Sequence, residues 1–77
     1  MTTAQFNRLS ESFALYANKE TTYKSLAFSR NGKKIDHKGF LMGIGIGHNE
    51  GRVILAYAGS TYAIPFADVK LPKLAWE

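Results

Sequence analysis

The sequence predicts a mainly β fold: one amphipathic N-terminal helix followed by a small, strongly bent β-barrel of about five short strands. Three observations predict it. Apolar residues recur at helical spacing only near the N-terminus, at Phe6, Leu9, Phe13 and Tyr16. After Lys19 the period drops to two, and short apolar runs are separated by turn signals at Asn31-Gly32, His48-Asn49-Glu50-Gly51 and Gly59-Ser60. The chain has 77 residues, enough for one domain whose folding buries only about 60% of the unfolded surface.

The helix is expected over residues 3–18. Phe6, Leu9, Phe13 and Tyr16 form one stripe, and Arg8, Glu11 and Ser12 fall off it. Thr2, with Gln5 three residues later, matches a capping box. Asn18 is a stop signal, because Asn tolerates the left-handed conformation at a helix end. The polar side is not rich in Lys and Arg, so the stripe is read as packing on the rest of the domain rather than on a membrane or a partner helix.

Residues 23–30 form the first expected strand, with Tyr23, Leu26 and Phe28 among small and polar residues. Asn31-Gly32 suits a type I′ turn, whose two central residues need positive φ, so a second strand starts near Lys33. In residues 40–47, Phe40, Met42, Ile44 and Ile46 alternate with Leu41, Gly43, Gly45 and Gly47. Period two puts the large side chains on one face and leaves the other nearly bare. Interior glycine weakens a strand, so Gly43, Gly45 and Gly47 mark a sharp bend or a subunit contact. Residues 52–58, rich in Val, Ile and Leu, form the next strand, and 61–64 another after the Gly59-Ser60 turn. Pro65 has no N–H and ends it. Residues 65–68 suit one helical turn, 69–71 a short last strand, and 72–77 a tail carrying Leu74 and Trp76. The barrel thus occupies residues 22–71 of a single domain, 1–77.

Composition narrows the function. There is no cysteine, which excludes a disulfide framework, a zinc finger and thiol catalysis. No apolar run approaches the roughly 18 residues of a membrane span, and no signal pattern opens the chain, so a cytoplasmic protein without membrane association is expected. Ten Lys and Arg against six Asp and Glu give a net charge of +4 and a pI near 9.6, which points towards a polyanion partner.

The order of elements resembles the Sm-like proteins, which include the bacterial Hfq RNA chaperones. The stretches that carry the resemblance are Ser25-Leu26-Ala27-Phe28-Ser29-Arg30-Asn31-Gly32, then Gly39, then Val53-Ile54-Leu55, then residues 64–71. It implies a five-stranded, SH3-like barrel, assembled as a ring of about five to seven subunits that binds single-stranded RNA. The family's Lys-His pair falls here near Pro65-Phe66, which have no side-chain donor, so its uridine contacts are not carried over. Six residues also separate Asn31-Gly32 from Gly39, where family members commonly have four.

Arg30, Lys33, Lys34 and Lys38 cluster around the expected hairpin tip, with His37 among them and only Asp36 opposed. Phosphates dock on such a cluster and release counterions; equally, lysines guard an exposed strand edge against aggregation. Lys24 and Arg52 extend the cluster if the register allows. Bases stack on exposed rings, and Tyr23, Phe40, Tyr57, Tyr62 and Phe66 are the candidates. Tyr57 and Tyr62, flanking the Gly59-Ser60 turn, are singled out. The glycine series 43–47 has the wrong spacing for a dinucleotide-binding loop, and no helix follows it. His37 and His48 lack the neighbours that a catalytic base or metal ligand needs.

The expected function is therefore a non-enzymatic protein without cofactor or metal that binds single-stranded RNA or DNA with weak sequence preference, as a homo-oligomer. Arg30, Lys33, Lys34, Lys38, Arg52, Tyr57 and Tyr62 are its nucleic-acid-binding residues, and Gly43, Gly45, Gly47, Leu74 and Trp76 its interface. The alternative is a protein–protein interaction module, such as a phage- or plasmid-type accessory protein that modulates a larger host complex. There the apolar tail matters and the charge is incidental.

Overall fold

A computed structural model describes residues 1–25 and 31–76. The chain runs α1 (Thr3–Glu11), α2 (Phe13–Tyr16), β1 (Glu20–Ser25), β2 (Ile35–Ile44), β3 (Arg52–Tyr57) and β4 (Ser60–Pro65), with 3-10 turns at Gly47–Asn49 and Phe66–Asp68. The strands form one antiparallel sheet in the order β1-β2-β3-β4. The fold is mainly β with an N-terminal helical segment.

Thr2 caps α1 as expected: its Oγ1 accepts from the Gln5 N–H at 3.2 Å, and the Gln5 side chain accepts from the Thr2 N–H at 3.0 Å. The single helix expected over 3–18 is broken at Ser12, which leaves the helical region at φ −127° and ψ 35°. Serine competes locally for backbone groups, which favours helix ends over interiors. The break does not disturb the stripe. Leu9 and Tyr16 are buried, and Phe6 stacks on Phe66 with centroids 4.7 Å apart. Asn18 ends the segment in the left-handed region, at φ 63°.

The first strand begins at Glu20, earlier than expected, and its expected second half, with the cation of Arg30, lies outside the described residues. Asn31 and Gly32 take the positive φ values, 61° and 71°, that a type I′ turn needs. The strand after them and the glycine-rich strand are one element. β2 runs ten residues, pairing first with β1 and then with β3.

A bulge between Leu41 and Gly43 makes Met42 an extra residue, so the two-residue alternation changes phase there. This corrects the expected faces. Phe40 and Met42 point outward, 49% and 51% exposed, whereas Leu41 is fully buried and Ile44 packs against the core. Inward residues of the sheet are Thr21, Tyr23, Leu41, Val53, Leu55 and Ile64, and Leu9, Tyr16, Val69 and Leu74 close over them. Each large apolar side chain so buried is worth about 1.5–3 kcal/mol. Gly39 is required by this core: a Cβ there would sit 2.9 Å from the Tyr23 ring and 3.1 Å from the Ala56 carbonyl oxygen.

The β3–β4 turn is Ala58-Gly59, both with positive φ, and β4 includes Ser60 and Pro65. The helical turn expected over 65–68 is present as a 3-10 turn at Phe66–Asp68. The expected fifth strand is reduced to a single bridge, Tyr23↔Val69. The Lys70 N–H donates to Thr22 O at 2.9 Å, and the Thr21 hydroxyl donates to Lys70 O. Pro72 then removes the next-but-one donor, so pairing does not propagate.

Candidate nucleic-acid interface

The basic cluster divides once it is folded. Lys34 Nζ lies 2.6 Å from the Asp68 carboxylate, tying the start of β2 to the 3-10 turn. Lys33 and Lys38 are exposed, and Lys38 sits on the outer face of β2 beside Phe40. Asp36 stands in register with Lys24, so these two charges face each other rather than extend the positive tip. Arg52 does not join the cluster. It pairs in register with Pro65, its Nη1 donates to Ala63 O at 3.4 Å, and it lies four steps of β3 from Ala56, about 13 Å along the strand.

The tyrosines turn inward. Leu55 pairs with Tyr62 and Tyr57 with Ser60, so both tyrosines share the inner face of the sheet. There they meet Tyr23 and His37. The His37 ring lies 5.7 Å from the Tyr23 ring and 5.8 Å from the Tyr57 ring. Tyr57 and Tyr62 are half-buried and pack against the core, which corrects their expected role as open stacking rings. The Tyr23 hydroxyl is buried with no hydrogen-bond partner among the described residues. Burial pushes its phenol above the ordinary value, and the neighbouring Tyr62 and Tyr57 push the same way.

The open ring is Phe40. Lys38, Phe40, Ala56, Tyr57, Ala58 and Gly59 line a shallow groove of about 260 Å³ on the outer face. The sequence carries a signal for it, since Lys38 and Phe40 share a parity opposite to that of Gly39 and Leu41. The bulge hides that signal by exchanging the faces two residues later.

The glycine face is not bare. A Cβ on Gly45 would sit 2.1 Å from Asn49 O, so the Gly47–Asn49 turn of the chain itself covers this position. Gly43 is half-buried beside Ile54, and Gly47 is exposed with φ 61°. Leu74 belongs to the core at 3% exposure and has little surface for another chain, whereas Trp76 is 70% exposed. Among the described residues, no three His, Asp or Glu side chains are placed to share a metal ion, and no helix is long and apolar enough to cross a membrane.

A second groove, about 280 Å³, lies between the outer side of β1 and the segment after β4, with Lys24, Asp36, Asp68 and Lys70 at its rim. The Met1 amine closes one end by donating to Phe66 O and Val69 O. Lys24, Lys70 and the Met1 amine alternate there with Asp36 and Asp68, so charges of both signs are mixed along it. Compared with known proteins, the chain matches no family model, no curated protein and no solved structure.

Proposed function

We propose that this protein is a small, non-enzymatic β-barrel protein that binds single-stranded nucleic acid with weak sequence preference, as an oligomer. The observation that carries the reading is the imbalance at one end of the sheet. Lys33 and Lys38 are exposed there, while of the nearby carboxylates Asp68 pairs with Lys34 and Asp36 stands in register with Lys24. A polyanion gains from two ammonium groups that no ion pair among the described residues neutralises.

The Sm-like or SH3-like barrel is part of this proposal. The Tyr23↔Val69 bridge and the Lys70-to-Thr22 hydrogen bond support it, because they bring the chain after the 3-10 turn back to the outer edge of β1. Assembly is supported by the opposite edge. β4 is the last strand of the sheet, and an unpaired strand edge is a template for another chain.

The test is fluorescence anisotropy with labelled single-stranded RNA, single-stranded DNA and duplex DNA at about 50 and 200 mM salt, the range over which phosphate contacts weaken measurably. Wild type should bind the single strands, more weakly at the higher salt. Lys33→Glu with Lys38→Glu should abolish most of the affinity and flatten the salt slope by about 1.4, two contacts at roughly 0.7 each. Binding unchanged in the double variant removes the tip from the argument, and no binding at low salt ends the reading. Mass by light scattering, in multiples of 8.6 kDa, tests the oligomer.

A protein-interaction module is the second reading, and the 70% exposure of Trp76 favours it. An exposed Trp is a frequent hot spot. Trp76→Ala, which leaves Leu74 in place, should then abolish capture of a protein partner without affecting nucleic-acid binding.

A further inference from the structure

We propose that the groove between Phe40 and the Ala58-Gly59 turn seats one base of a single-stranded RNA. The inference rests on the nucleic-acid reading above and gives it a specific site, centred on Phe40 with Tyr57 in its lining. Phe40 is the only Phe or Tyr among the described residues whose side chain is about half open to solvent. It lies at the centre of the sheet, in register with Ala56, so it is backed by regular structure and does not depend on a loop for its position.

The surroundings fit a flat, uncharged ring with a charged chain on one side. Ala56, Ala58 and Gly59 are small, and they leave the shallow floor open next to the Phe40 ring. Ala58 holds φ 51°, a conformation that Asn or Gly would adopt more readily. At about 260 Å³ the groove lies below the roughly 300–1,000 Å³ of a drug-sized pocket and is on the scale of one planar ring system. Bases stack on an aromatic ring whatever their identity, which gives weak sequence preference.

Charge sets the direction of the chain. Lys38 lies on the same outer face two residues from Phe40, and Lys33 lies further towards the hairpin tip. Glu20 is the outward partner of Phe40 on β1, on the side away from the groove, and repels phosphate there. The phosphates therefore run from Phe40 past Lys38 towards Lys33, with the charge of Asp36 on that face offset by Lys24 in register with it. Beyond the groove, on β4, Thr61 is exposed on the outer face as the register partner of Ala56. Its hydroxyl offers a partner to a ribose 2′-OH, the group that distinguishes RNA from DNA. That feature favours RNA.

The test compares labelled U12 RNA, A12 RNA and dT12 by anisotropy on wild type and four variants. Phe40→Ala and Phe40→Leu should each weaken RNA binding about tenfold, equal to about 1.4 kcal/mol. Phe40→Trp should bind at least as tightly as wild type. Lys38→Gln should lower the salt slope by about one contact's share, roughly 0.7. Thermal melts of the Phe40 variants separate loss of the seat from loss of fold, since the ring is half out of the core. Phe40→Leu binding RNA as wild type does overturns the stacking seat alone. dT12 binding as tightly as U12 overturns the assignment to RNA. A wild type that binds no RNA at about 50 mM salt overturns both this inference and the reading beneath it.

Discussion

Two glycines two residues apart should respond to alanine with opposite sign. At Gly45 an added Cβ would lie 2.1 Å from Asn49 O, 2.7 Å from Asn49 Cβ and 2.9 Å from Asn49 C. The obstacle is mainly backbone, so the Gly47–Asn49 turn has to move by about an ångström or β2 has to bend away. Overpacking of this kind costs about 1–3 kcal/mol. The movement also strains the Asn49 N–H to Ile46 O and Glu50 N–H to Gly47 O bonds, both 3.1 Å. Losing one of them adds about 0.5–1.5 kcal/mol. Replacing an interior glycine returns about 0.5–1 kcal/mol. The net is a destabilisation of about 2 kcal/mol for Gly45→Ala. At Gly43 the nearest atoms are Ile54 Cβ and Cγ1 at 3.9 Å, ordinary contact, so Gly43→Ala keeps the entropic gain and should stabilise by about 0.5 kcal/mol. Urea unfolding monitored by far-UV circular dichroism measures both. With m near 1 kcal/mol/M for a chain of this size, the midpoint should fall by about 2 M for Gly45→Ala and rise by about 0.5 M for Gly43→Ala. A Gly45→Ala protein as stable as Gly43→Ala would refute the claim that the chain's own turn covers this face, and would restore a subunit contact as the reason for the glycines.

Three further outcomes follow from the core and the caps. Tyr23→Phe should stabilise the protein by about 1 kcal/mol at neutral pH, because it removes a buried hydroxyl without a partner. It should also blunt alkaline unfolding. The folded phenol titrates above its ordinary value of 10.0, so the stability it protects is present below that pH and is lost as pH rises through the folded value; equal alkaline midpoints for the two proteins would contradict this. Leu74→Ala should cost about 2–5 kcal/mol by thermal or urea unfolding, whereas Trp76→Ala should change stability by less than about 0.5 kcal/mol, following their 3% and 70% exposures. Thr2→Ala should cost about 1 kcal/mol in the same assay, by removing the capping box.

Much of the fold is legible in the residues because its determinants are local. The capping box at Thr2 and Gln5, the apolar stripe from Phe6 to Tyr16, the left-handed Asn18, and the turn residues Asn31 and Gly32 all stand where the sequence places them. The 3-10 turn after Pro65 does too. What the sequence misplaces depends on register. The expectation of one large apolar face over residues 40–47 counts residues in strict alternation, and the bulge at Met42 breaks the count. The exposed Phe40 is therefore hidden among residues that look like core. Arg52 and Lys24 are likewise sorted by register, one to the far end of the sheet and one to a position opposite Asp36. The fate of Lys34 depends on Asp68, a partner thirty-four residues away that no local pattern indicates. Gly45 is read as interface because period two leaves its face bare, and Leu74 because it shares an apolar tail with Trp76; only the folded chain shows that the protein itself occupies the space around them.

The bulge also governs how the chain tolerates a change of length. Leu41 pairs with Leu55, and Gly43 with Ile54, so Met42 is the one residue of β2 that the ladder does not count. A chain lacking it keeps every inward residue inward and every pair in phase; it gives up local curl and one exposed methionine. Removing Lys38 instead shifts everything before it by one place and turns His37 outward and Asp36 inward, against Tyr23. Deletions should therefore be tolerated at the bulge, at Met42 or Gly43, and disabling a few residues away, a pattern that a deletion scan of residues 36–44 would reveal as one short tolerant stretch.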